Sequence, residues 1–404
     1  MLALCWISTR IFLCLQLGGP KAFFYIGDVG LYEEWSRSLA DGTFPTGDSR
    51  WQYPPLAAVF MVLPRILPGG YLTGFVALVL GADAVILLAL GVLARRRGSW
   101  LGCWYWTVGP TLLGAVVLGR FDVFPAVLAV LALVAAGSAT AWGGLVGTGV
   151  ALKVWPLALL AGTPPVRYPR AFLAMAAAGG GITLAFVLLT GGAMSFLRGQ
   201  EHRGLEFEAV LANPFVAGRT LGLWNGTVRY QYGSVEVVGA HVDTVARLSF
   251  VVVALAAVGF VVWRWRLWRS RAAWRPELAA DAALCAVLLM VLSSRVLSPQ
   301  YLIWLLAVAA VCLACAQTSQ RPTAGLILAA TVLTFLEYRV FWFELVAGEG
   351  FAVALLTTRN ALLVAAAAIG AWRLWRGVAR RDRADAIPAA VPEPVLTGAS
   401  PPAR

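Results

Sequence analysis

Apolar residues fall into runs of roughly 20, the length that crosses a hydrocarbon core, and these recur from the N-terminus to about Arg373. The pattern predicts an all-α polytopic membrane protein and leaves no stretch for a soluble domain of useful size. Between the runs lie short arginine blocks at Arg95–Arg97, Arg167 and Arg170, Arg264–Arg275, and Arg373 with Arg376, which mark the cytoplasmic side of a membrane protein. With these blocks inside, helix one runs outward and a polar outer loop follows from about 20 to 55. The helix Leu72–Ala94 returns, 100–118 goes out, Gly119–Asp122 turns outside, and 123–137 comes back. Trp142–Gly162 is long enough for one crossing, yet the next polar segment belongs inside. We therefore read it as two half-helices broken near Lys153 and Pro156, which is tolerated where protein or a wet cavity shields the freed backbone.

Residues 171–190 go out to a second outer loop at about 191–240, which contains His202 and His241 and is too long for a bare linker. Crossings at 242–262, 278–293, 302–316, 324–335 and 351–372 complete a bundle of about 10–12 transmembrane helices. The membrane domain spans 1–376 and both termini are cytoplasmic. The Pro- and Ala-rich tail, 377–404, reads as disordered.

Composition agrees, with 60% hydrophobic and 13% charged residues over 404 positions. The net charge of +12 resides in the arginine blocks, so orientation in the bilayer explains it better than a nucleic-acid partner. All six cysteines sit in apolar runs, and the Cys312–Cys315 pair has no nearby histidine, so neither metal nor redox chemistry is expected there. Arg10 is awkward in the first helix and is expected to snorkel to the cytoplasmic face, moving the span toward 8–25. Asp83, mid-helix, has no partner that spacing identifies.

Candidate chemistry gathers on the predicted outer side. Glu33, Glu34, Asp41 and Asp48 read as solvated loop charges, whereas Asp28 follows the apolar run Phe23–Ile26 at the lipid edge. Partial desolvation there raises a carboxylate's pKa and makes it a more competent general base. Pro54 and Pro55 make a rigid corner after Tyr53. Arg120 with Asp122, Lys153, Arg203 with Glu208, and Arg295 with Gln300 thread to the same half, as ion pairs, anchors or ligand contacts. Lys153 between half-helices costs about 2.5–3.5 kcal/mol unpaired, so a partner or an anionic ligand is expected. No GxxxxGK[ST], GxGxxG or HExxH motif occurs, so no nucleotide cradle is evident. No cofactor is indicated, and a divalent cation is left open. An enzyme at the outer face and a transporter or flippase both fit buried charges, but a transporter predicts repeated halves, which are not found.

Gly27-Asp28-Val29-Gly30-Leu31-Tyr32, Trp51-Gln52-Tyr53-Pro54-Pro55-Leu56, Arg120-Phe121-Asp122, Lys153-Val154-Trp155-Pro156, Arg203-Gly204-Leu205 with Glu208, and Ser298-Pro299-Gln300-Tyr301 follow one another in this order along the chain. Together these motifs resemble glycosyltransferase family 87. The resemblance implies the GT-C architecture and inverting transfer of a hexosyl, such as mannosyl, or pentosyl unit from a polyprenyl-phosphate sugar. The acceptor would be a glycolipid, wall glycan or protein at the outer face of a bacterial plasma membrane. It implies Asp28 as base and Tyr53, Arg120, Asp122, Lys153, Arg203, Glu208, Arg295, Gln300 and Tyr301 as substrate-binding residues, with Lys153, Arg203 and Arg295 the cations for the leaving phosphate. The stretch Leu205–Glu208 departs from the family pattern at Glu206, which is therefore uninformative.

Overall fold

The computed structural model describes residues 1–19, 21–197, 203–269 and 276–385, with side chains as far as Gly377 in the last helix. His202 and most of the predicted tail lie outside them. The helix Gly350–Asp385 continues past the point where the tail was expected to begin.

Five helices among the described residues are long and apolar enough to cross a membrane: Tyr71–Arg97, Pro165–Leu189, Val242–Arg269, Arg321–Val340 and Gly350–Gly377. Shorter apolar helices fill the space between them, among them Leu2–Gln16, Val123–Val134, Ala139–Leu152 and Tyr301–Ala314. The protein is thus a multi-pass, predominantly helical membrane protein, as the hydropathy pattern predicts. The helix Tyr301–Ala314 is the axis of the bundle, buried at every position from Leu302 onward. It is apolar all round, which suits a helix surrounded by protein.

The break at Lys153 is present. The helix Ala139–Leu152 ends there with Lys153 extended, and a 3-10 segment, Trp155–Gly162, takes over at Pro156. Gly143 and Gly147 make a seam against the helix Tyr168–Leu189. A Cβ on either would come within 2.0 Å of Ala171 O or 2.3 Å of Met175 O, so no larger residue fits. Beyond this seam Tyr168–Leu189 buries only Ala171 and shows its apolar side chains outward, as a lipid-facing helix does.

The arginine blocks gather at one end of the bundle. Arg97 approaches Glu277 at 3.8 Å, Arg264 donates to the carbonyls of Ala161 and Thr163, and Arg373 donates to Ser319 O. The helices leading away from these contacts converge on the residues singled out near Asp28.

Three expectations require correction. First, half of the predicted outer loop is a helix, Phe23–Ala40, which buries Phe24, Tyr25, Val29, Tyr32, Trp35, Ser36 and Leu39 at helical spacing and turns Glu34 and Arg37 outward. Second, Arg10 does not snorkel. Its guanidinium is 5% exposed and grips Asp83, itself 1% exposed, with Nε and Nη2 both 2.8 Å from the carboxylate oxygens. Trp6 Nε1 donates to the same carboxylate at 2.7 Å, and Arg10 also donates to Thr107 O. The lone Asp83 and the misplaced Arg10 are thus one buried bidentate pair. Third, the second predicted loop carries a small antiparallel sheet, β1 (Leu205–Glu206), β2 (Thr227–Gln231) and β3 (Ser234–Val238), in the order β1-β3-β2.

Removing one member of a buried pair leaves the other charge uncompensated. Arg10→Met is expected to lower stability by about 3–5 kcal/mol, and Arg10→Met/Asp83→Leu to recover most of it. The thermal midpoints of the two variants in one detergent decide this. Equal midpoints would show that the pair is not what supports the fold.

Candidate functional site

The Asp28 helix is brought against the Gly119–Asp122 turn by a close backbone approach. A Cβ on Gly119 would lie 1.7 Å from Tyr25 O, so glycine is required there. Arg120 and Asp122 flank buried Phe121 and diverge into separate ion pairs. Arg120 Nη1 binds Asp28 Oδ2, and its Nη2 donates to Tyr338 Oη at 2.9 Å. Tyr338 Oη in turn donates to Phe24 O at 3.1 Å, which closes the cluster on the Asp28 helix. Arg120 takes Oδ2, so Oδ1 is the oxygen of Asp28 outside that ion pair. The Asp28 side chain is 37% exposed.

Asp122 faces the other way, 2.6 Å from Lys153 Nζ and 2.7 Å from Trp304 Nε1. The Lys153 ammonium also lies 5.4 Å, 5.7 Å and 5.1 Å from the ring centres of Tyr53, Tyr301 and Trp304. Aromatic faces are attractive to a desolvated cation. The partner expected for Lys153 therefore exists, but an ammonium has three donors and one carboxylate does not exhaust them. Tyr53 is fixed by the double-proline corner, where Leu56 N donates to Ala151 O at the broken helix end, and by Tyr32, whose Oη is 3.1 Å from its own.

Glu206 carries a role that its departure from the family pattern concealed. Its carboxylate accepts from Leu297 N at 2.5 Å and Ser298 Oγ at 2.6 Å, and its own N–H donates to Arg295 O. It thereby holds the turn that delivers Gln300 and Tyr301. Burial raises the Glu206 carboxyl, against the pull of Arg203 and these hydrogen bonds.

Asp28, Tyr53, Lys153, Arg203, Gln300 and Tyr301 line one cleft of about 200 Å³. Arg120 and Asp122 lie behind it as partners of Asp28 and Lys153. Two further candidates stand off the cleft. Arg295 Nη1 donates to Arg203 O at 2.8 Å, so it positions the chain that carries Arg203. Glu208 does not meet Arg203. It is buried beside Arg359 at 3.6 Å, and Arg359 also binds Glu337 at 2.7 Å. Burial, with Glu337 and Glu206 close by, pushes the Glu208 carboxyl well above its usual value. Asp48 is more than a solvated charge, since it accepts from Arg50 Nη2 at 2.7 Å and Trp35 Nε1 at 2.9 Å. Burial works to raise its pKa, and these hydrogen bonds hold it below the ordinary value.

An apolar groove of about 380 Å³ runs beside the broken helix, lined by Val154, Leu157, Val253, Phe260 and Met290 among others. It adjoins the cleft through chain neighbours: Val154 follows Lys153, and Ser293 in the groove precedes Ser294 in the cleft. A larger cavity of about 490 Å³ at the arginine end contains Arg97 and Arg167. Arg97 is matched by Glu277 and Arg167 by the carbonyls of Ala136 and Gly137, and no carboxylate among the described residues lines the cavity to face a substrate as Asp28 does in the cleft.

The profile of glycosyltransferase family 87 matches residues 51–299. The chain belongs to this family. No curated protein and no solved structure matches it. The family 87 match includes Tyr53, Arg120, Asp122, Lys153, Arg203, Glu206 and Arg295, and begins after the Asp28 helix. Gln300 and Tyr301 follow its end directly. As a family 87 member the protein is a membrane glycosyltransferase, with a sugar donor and an acceptor as substrates, and transport gives way to transfer.

Proposed function

We propose that the protein transfers a hexosyl or pentosyl unit from a polyprenyl-phosphate sugar to an acceptor at the outer face of the plasma membrane, with inversion and with Asp28 as base. Asp28 Oδ1 takes the proton of the acceptor hydroxyl as that oxygen attacks the anomeric carbon. The bond from that carbon to the phosphate oxygen breaks, and polyprenyl phosphate leaves with the electron pair. Lys153 and Arg203 offset the charge that gathers on the departing phosphate, an interaction that strengthens in the transition state.

The observation that carries this reading is a cleft in which one carboxylate faces two cations and which adjoins an apolar groove. A lipid tail suits the groove and a phosphate suits Lys153 and Arg203, whereas a soluble nucleotide donor has no cradle in the sequence. The arginine blocks lie at the far end of the bundle, which supports an outward-facing cleft under the positive-inside rule.

The test supplies purified protein in liposomes with radiolabelled polyprenyl-phosphate mannose, polyprenyl-phosphate arabinose or the matching nucleotide sugars. Label should move only from a polyprenyl donor, and the product linkage should have the opposite anomeric configuration. Transfer from the nucleotide sugar alone, or retained configuration, rejects the reading.

A further inference from the structure

The β2–β3 hairpin reaches the mouth of the cleft with two tyrosines, Tyr230 in strand β2 and Tyr232 in the turn that follows it, and both line the cleft that contains Asp28. Tyr230 is 73% exposed, unusual for a large ring beside a buried polar site. Tyr232 has φ 53 and is followed by Gly233 at φ 82. Positive φ at both central residues of a two-residue hairpin favours Asn-Gly or Asp-Gly, and an aromatic side chain is strained at the first position. Nothing in the pairing of the strands calls for a tyrosine there. Strain retained beside an active cleft points to a functional demand on that side chain.

The tip is held in place. Gln52 Nε2 donates to Tyr232 O at 3.3 Å, and Gln231 Nε2 donates to Glu236 Oε2 at 2.6 Å across the hairpin. Strand β3 pairs with β1, and Phe207 N donates to Val235 O, so the tip is continuous with the Glu206 turn at the cleft floor. Arg50, on the same rim, is matched by Asp48 at 2.7 Å and Glu34 at 3.7 Å, which leaves the ring faces as the recognising feature.

We propose that Tyr230 and Tyr232 form a stacking platform for the acceptor and that the acceptor is a saccharide, its C–H face laid on the rings and one hydroxyl directed to Asp28. This rests on the transferase reading above. The phosphate end of the donor is assigned to Lys153 and Arg203 and its tail to the groove, so the mouth under the hairpin is the part of the cleft still open to the second substrate. Tyrosine gives such contact area at low entropic cost because its side chain has few rotatable bonds.

The experiment measures transfer from radiolabelled polyprenyl-phosphate sugar to a panel of octyl pyranosides and furanosides, and to water, by wild type, Tyr232→Asn, Tyr230→Ala and Arg229→Gln. Asparagine tolerates positive φ, so Tyr232→Asn should keep or raise the thermal midpoint. The acceptor KM of both tyrosine variants should rise about tenfold while kcat changes less than about threefold. Arg229, next to Tyr230 in β2 and therefore on the opposite face of the strand, should move neither. Unchanged acceptor KM in both tyrosine variants overturns the platform, as does a wild type that releases sugar to water but saturates with no member of the panel. A wild type that releases sugar to neither overturns the transferase reading, and the platform with it.

Discussion

Asp28→Asn is expected to reduce sugar transfer by about 10²–10⁴-fold, the usual contribution of a positioned general base, while the protein still inserts and folds. The substitution is nearly isosteric and keeps an oxygen for Arg120, which Tyr338 continues to hold at 2.9 Å. What it removes is the anionic oxygen that accepts the acceptor's proton. The measurement is initial transfer rate at saturating donor, with the thermal midpoint followed in parallel. Equal rates for Asp28→Asn and wild type would sink the assignment of the base. A loss of rate together with a collapse of the midpoint would instead make the Asp28–Arg120 pair a structural strut.

The second large effect is expected at Lys153. Lys153→Met leaves the Asp122 carboxylate, 1% exposed, with the uncharged Trp304 Nε1 as its donor. Stranding a buried charge in this way costs about 3–5 kcal/mol, so the single variant should be both unstable and inactive. Asp122→Asn/Lys153→Met removes both charges and should recover most of the stability. If the ammonium also offsets charge on a leaving phosphate, the double variant should remain impaired in transfer by at least about tenfold. A double variant that is stable and transfers at the wild-type rate would reduce Lys153 to a counter-ion for Asp122.

The membrane class, the broken span at Lys153 and the residues around the cleft were legible because each leaves a local mark: a run of apolar residues, a charge inside it, a double proline. The helix Phe23–Ala40 was legible too but was masked by its polar residues. Tyr25, Val29, Tyr32, Trp35 and Leu39 recur at helical spacing, and a periodicity count identifies them where average polarity suggests a loop. The ion-pair partners were not legible. Arg120 and Asp122 are two positions apart and were read as a pair, but they flank a buried ring and diverge, one to Asp28 and the other to Lys153. Arg10 finds Asp83 at a separation of 73 residues and Arg359 finds Glu208 at 151. Such matches are made by tertiary packing, for which spacing along one chain carries no signal. Glu206 was missed for a related reason, since its work is to hold a backbone turn that lies 91 residues away.

The Arg10–Asp83 pair also bears on how the chain enters the bilayer. The first helix has only 15 residues, and an arginine at its middle costs roughly 2.5–3.5 kcal/mol on translocon scales. Its counter-charge is synthesised 73 residues later. Until the Tyr71–Arg97 helix emerges, Leu2–Gln16 is a poor membrane segment on its own account, and its stable insertion depends on a helix the ribosome has yet to make. Insertion of Leu2–Gln16 is therefore expected to be coupled to that of Tyr71–Arg97, and a truncation that ends before Asp83 leaves Arg10 without its counter-charge.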